Sequence, residues 1–145
     1  MIRMLVATDG SENAIRAAEF AARLAREVGT AEVLLLNVGH VPVYALGGPG
    51  PDALVDLGQL EEGLERAGQA ILARAGEAFA GVDIPVRAAY RCGDPAGEIT
   101  KRAQEAQADL IIVGSRGLGE IGGLFLGSVS ERVLHRAHVP VLVVR

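Results

Sequence analysis

The chain alternates short, almost unbroken apolar runs with longer segments whose apolar positions recur three and four residues apart. The first run, Ile2 to Thr8, ends in Asp9-Gly10-Ser11, a turn-and-cap cluster. A buried strand feeding straight into a helix is the reading this pattern supports. The helix places Ala14, Ala17, Ala18, Ala21, Leu24, Ala25 and Val28 on one face, and Gly29 supplies a left-handed stop. Ala31 to Val38 reads as a second buried strand, completing a β-α-β unit. From about Asp56 a second helical pattern carries Leu60, Leu64, Ala67, Ile71 and Ala78 and ends before Gly81. A third strand is predicted at Ile84 to Arg91, with Val86, Ala88 and Tyr90 alternating against Arg87 and Arg91.

Asp94-Pro95 is a helix start, because Asp caps free amides and Pro lacks an N–H that would be unpaired at the first helical position. Ala96, Ile99, Ala103 and Ala106 form the expected buried stripe of this third helix. Asp109 precedes a fourth strand, Leu110 to Val113, which opens into the glycine-rich stretch Gly114 to Gly127. A fourth helix is predicted from Ser128 and a fifth strand at Pro140 to Val144. Gly39 to Pro51, with four glycines and three prolines, reads as a loop.

Strands that read as solid apolar runs between helices imply a parallel sheet covered on both faces, with right-handed crossovers. The expected fold is a doubly wound, five-stranded α/β sandwich of strand order 3-2-1-4-5. That order puts a switch point between strands one and four, where such sheets bind ligands at the carboxyl ends. Asp9 and Gly114 end those two strands. The fifth strand then lies at the sheet edge, uncharged until Arg145. An open apolar edge predicts a homodimer in which residues 140–144 meet about a two-fold axis.

Composition narrows the function classes. A length of 145 residues suits one domain, 1–145. With 50% hydrophobic but 3% aromatic residues, the core must be built from Ala, Val, Leu and Ile. A net charge of −4 with dispersed basic residues supplies no field for nucleic acid. Cys92 is the single cysteine, which excludes an intramolecular disulfide, and no Cys/His cluster suits zinc. No apolar run reaches the roughly 20 residues of a membrane span, and the first is too short for a signal peptide. A cytoplasmic protein that does not enter membranes is expected.

The stretch from Gly114 to Gly127 leaves a strand and enters a helix, a geometry suited to an anion. Glycines let backbone N–H groups approach phosphate oxygens, and a helix start adds free amides and the positive end of its dipole. The competing reading is structural, since Ser128 with Glu131 spells a capping box. Six glycines in fourteen positions favour the phosphate cradle, because capping needs none of them. A Gly-Lys-Ser/Thr triplet is absent, and no Gly-x-Gly-x-x-Gly follows the first strand. Arg116 is the one cation inside the loop and Lys101 lies in the third helix, so fast phosphoryl transfer is not expected. Asp9 lacks the acidic neighbour of a phospho-accepting site. Glu120 could help hold Mg²⁺, or be simply solvated. His40, Cys92, His135 and His138 read as structural.

The spacing Gly114-x2-Gly117-x9-Gly127-Ser128 resembles the ATP-binding signature of universal stress proteins. The tail from Gly127 to Val144, the opening Val6-Ala7-Thr8-Asp9-Gly10-Ser11, Leu35-Leu36-Asn37-Val38 and Gly93-Asp94-Pro95 extend the resemblance over almost the whole chain. The resemblance implies an adenine nucleotide alpha hydrolase-like fold acting as an ATP-binding module in stress response or signalling. It implies that Gly114, Arg116, Gly117, Gly127 and Ser128 contact phosphates, with the amides of Val129 and Ser130 nearby. It places Asp9 on the ribose hydroxyls and Val38 on adenine, with Ala7 and Thr8 lining the pocket, and Mg²⁺ or Mn²⁺ held by the phosphates. It also implies a homodimer. The alternative is a slow ATPase or phosphotransferase using the same loop.

Overall fold

A computed structural model describes residues 1–41, 56–116 and 126–145. The elements run β1 (Ile2–Ala7), α1 (Glu12–Val28), β2 (Ala31–Gly39), α2 (Leu57–Gly76), β3 (Val86–Cys92), α3 (Pro95–Glu105), β4 (Leu110–Gly114), α4 (Ser128–Arg136) and β5 (Val141–Val144). A short 3₁₀ turn, Glu77–Phe79, follows α2. All pairings are parallel and the order is β3-β2-β1-β4-β5, as the alternation of strands and helices predicts.

Two apolar layers sandwich the sheet. On one face Met4, Val6, Val33, Leu35 and Ile112 pack against the alanine stripe of α1 and against Leu72, Ala75 and Phe79. On the other, Leu5, Leu36, Ile111 and Val113 meet Ala96, Ile99 and Ala103 of α3 and Val133 of α4. Consecutive residues Leu35 and Leu36 are therefore both buried, one on each face. This explains why the central strands read as solid apolar runs rather than alternating ones. The alanines of α1 let its backbone lie close to the sheet, and Gly29 ends the helix at φ +72°.

Three local expectations are corrected. In α2 the buried stripe is Gly68, Leu72 and Ala75 while Ala67 is exposed, because the helix presses a glycine onto the Tyr90 ring. A Cβ at Gly68 would sit 2.4 Å from Tyr90 Cδ2 and 2.7 Å from Asn37 Oδ1, so the tightest contact falls where hydropathy shows nothing. In β3, Val86 and Ala88 are exposed, because this edge strand pairs on one side with β2 and only its middle, Ala89 and Tyr90, is partly covered. Finally, α4 takes Gly127 as its N-cap, with no side-chain cap hydrogen bond among the described residues, so Ser128 does not hold the cap position that a Ser128/Glu131 capping box requires. Ser128 is instead the first helical residue.

Candidate functional site

Where β1 and β4 separate at their carboxyl ends, a cleft of about 280 Å³ opens between the sheet and helices α3 and α4. Ala7, Thr8 and Asp9 line it from β1, Leu36 and Val38 from β2, and Val113, Gly114 and Arg116 from the end of β4. Pro95 and Ile99 of α3 form one wall, and Gly127, Ser128, Val129 and Ser130 form the start of α4 opposite. The residues expected in a nucleotide site from the sequence thus converge on one cleft, apart from Gly117 and Glu120, which lie outside the described residues, as does most of the Gly39 to Pro51 loop.

Local chemistry holds each part in place. The last β1–β2 ladder bond runs from the Thr8 amide to the Leu36 carbonyl (2.9 Å). Beyond it the buried Asn37 side chain donates to the Thr8 carbonyl (2.8 Å), holding the strand end where the backbones part. Asp9 Oδ1 accepts from the Ser11 amide (2.9 Å), a turn that starts α1, and Ser11 Oγ accepts from the Ala14 amide as the helix cap.

Both ends of the glycine-rich stretch are tied together. The Gly127 amide donates to the Ser115 carbonyl (2.6 Å), Ser130 Oγ donates to the Gly114 carbonyl (2.6 Å), and the Ser115 amide donates to Val144 of β5 (2.7 Å). Asn13 Nδ2 reaches Ser115 Oγ (3.1 Å), and Ser11 Oγ donates to the Arg116 carbonyl (3.4 Å). Gly114 fits under the first turn of α1, where a Cβ would lie 2.8 Å from the Ala14 nitrogen. This glycine therefore makes room for a helix, a role distinct from the phosphate contact expected of it.

The cleft has two chemical halves. Leu36, Val38, Pro95, Ile99 and Val113 offer apolar surface, while Asp9, Arg116 and the start of α4 are polar. Residues 1–145 match the profile of the family described as the Universal stress protein family. The chain belongs to this family. Among similar universal stress proteins, YxiE of Bacillus subtilis (strain 168) is 35% identical over 148 aligned positions, covering 99% of this chain and 98% of that protein. A universal stress protein of Thermus aquaticus is 38% identical over 143, covering 98% and 97%. Among solved structures, the hypothetical protein MJ0577 superposes with a TM-score of 0.84 at 27% identity, covering 99% of this chain and 94% of that one. A universal stress protein in complex with cAMP superposes with a TM-score of 0.72 at 25% identity, covering 99% and 97%.

Sequence reasoning missed Asn13, Ser115 and the hydroxyl of Ser130 as the ties that close the site, and Pro95, Ile99, Leu36 and Val113 as its apolar wall. Pro95 and Ile99 carried a signal, since both sit in the first turns of the helix that leads into β4, a strand at the switch point. The Asn13–Ser115 pair, 102 residues apart, carried none. No helix among the described residues is long and apolar enough to cross a membrane.

Proposed function

We propose that this universal stress protein is a cytoplasmic ATP-binding module of stress response or signalling, holding the nucleotide in the cleft between β1, β4 and the start of α4. The observation that carries the proposal is the start of α4. Helices α1, α2 and α3 are each capped by a side chain, Ser11, Asp56 and Asp94, whereas α4 has the glycine Gly127 as its N-cap, with no side-chain cap among the described residues, and its first turn lines the cleft. Amides there, together with the positive end of the helix dipole, suit phosphate oxygens.

The rest of the cleft fits an adenine nucleotide. Leu36, Val38, Pro95 and Ile99 line an apolar part of the cleft that would suit the base, and Asp9, lining the same cleft, would meet the ribose hydroxyls. Gly114, Arg116, Gly127, Ser128, Val129 and Ser130, with Gly117, would hold the phosphates, and Mg²⁺ or Mn²⁺ would ride on the phosphate oxygens. A relative of the same fold was solved in complex with cAMP, which supports the adenine assignment. No lysine lines the cleft among the described residues to neutralise a transferring phosphoryl group, which argues against fast phosphoryl transfer. Acid release of the purified protein followed by ion exchange should yield ATP, and ATP should bind in isothermal titration. Steady ADP formation would favour a slow ATPase, and absence of binding would refute the proposal.

The same proposal includes a homodimer through residues 140–144. Strand β5 lies at the sheet edge and is only half-buried along its length. A monomer at micromolar concentration in analytical ultracentrifugation would refute that part.

A further inference from the structure

The carboxylate that starts α3 is bound by two arginines of α4. Arg132 donates to both oxygens of Asp94 at 2.7 Å, and Arg136 donates to Oδ2 at 3.2 Å. The same Oδ2 accepts from the Gly97 amide at 2.9 Å, so Asp94 caps its own helix while holding the next one. Gly97 leaves space for this arrangement, since a Cβ there would lie 3.0 Å from Asp94 Oδ2 and 3.7 Å from Arg136 Nη1. Pro95, next to Asp94, lines one wall of the cleft, and Ser128 and Val129, one turn before Arg132, line the other.

We propose that the Asp94–Arg132–Arg136 clasp is a positioning device that fixes the start of α4 against α3 and so sets the placement of the phosphate-facing amides. The inference rests on the nucleotide site proposed above. The three side chains touch no part of the cleft; they act through Pro95 and through the first turn of α4. Each pair is about half exposed, so as a source of stability it is weak. Its consequence is geometric, because backbone donors bind phosphate well only at hydrogen-bonding distance and angle. The start of α4 keeps its other ties, Gly127 to Ser115 and Ser130 to Gly114, when the clasp is cut, so the fold persists.

The test compares ATP with adenosine by isothermal titration. Arg132→Met should weaken ATP binding roughly three- to tenfold and leave adenosine, which has no phosphate, unchanged. Asp94→Asn keeps the α3 cap, because Asn caps as well as Asp, yet it loses the charged pair and should show a similar loss. The double variant should be no worse than the worse single, and Arg132→Lys should recover part of the affinity. Unchanged ATP affinity in both single variants would overturn the inference, as would equal weakening of ATP and adenosine. Failure of the unaltered protein to bind either ligand would overturn the site itself and this inference with it.

Discussion

Gly114 offers the sharpest test of how the site is built. It ends β4 beneath the first turn of α1, and its φ is not in the left-handed region, so its requirement is space rather than backbone freedom. In Gly114→Ala the new Cβ would lie 2.8 Å from the Ala14 nitrogen, 2.8 Å from the Asn13 carbonyl carbon and 3.1 Å from Asn13 Cβ. Two of these neighbours are backbone, so no side-chain rotation relieves the clash and the start of α1 must shift. Overpacking of this kind costs about 1–3 kcal/mol. Restricting the unfolded chain offsets about 0.4–1 kcal/mol of that. The net is roughly 1–2 kcal/mol, or a Tm lowered by about 3–8 °C at this chain length. Circular dichroism melts of both proteins in the same buffer would measure it. The shift also strains the Asn13–Ser115 bond, so ATP affinity should fall as well. A Gly114→Ala variant as stable as the parent would refute the reasoning.

Four further outcomes follow from the structure. Gly68→Ala, whose Cβ would strike the Tyr90 ring and Asn37, should destabilise by about 1–3 kcal/mol despite alanine's better helix propensity. Gly63→Ala in the same helix meets nothing within 4 Å among the described residues and should stabilise by up to about 1 kcal/mol; urea denaturation reads both. Hydrogen bonds from Arg132, above all, hold the Asp94 carboxyl below the usual carboxylate range, against a smaller opposing effect of burial. A depressed folded value gives stability that is present above the ordinary carboxylate pKa and lost as pH falls through the folded one. The Tm difference between the parent and Asp94→Asn should therefore shrink on acidification from neutral pH to below the ordinary carboxylate range, and a constant difference would contradict it. Leu35→Ala, at 1% exposure, should cost about 2–5 kcal/mol by the same denaturation assay.

The topology was legible because parallel central strands are buried on both faces and announce themselves as apolar runs, as Leu34-Leu35-Leu36 and Leu110-Ile111-Ile112 do. The doubly wound order 3-2-1-4-5, one of several that right-handed crossovers allow, then placed Asp9 beside Gly114. Packing that depends on absent atoms was not legible. Gly68 lies against Tyr90 and Asn37 of the sheet with no room for a Cβ, but a hydrophobic stripe is written in side chains and glycine has none. At Ser128 the local pattern matched a capping box, yet the ties from Gly127 and Ser130 to the end of β4 fix the chain so that the helix starts one residue earlier, with Gly127 in the cap position. The clasp on Asp94 joins residues 38 and 42 apart, a pairing set by α3–α4 packing rather than by any local signal.

The most direct measurement is an amide ¹H–¹⁵N correlation spectrum recorded as ATP is added. Phosphate held by the start of α4 predicts saturable shifts at Arg116, Ser128, Val129 and Ser130, with Asp9 and Val38 moving at the same ligand concentrations. Shifts confined to other surfaces, such as the outer face of α2, or none at millimolar ATP, would contradict the account.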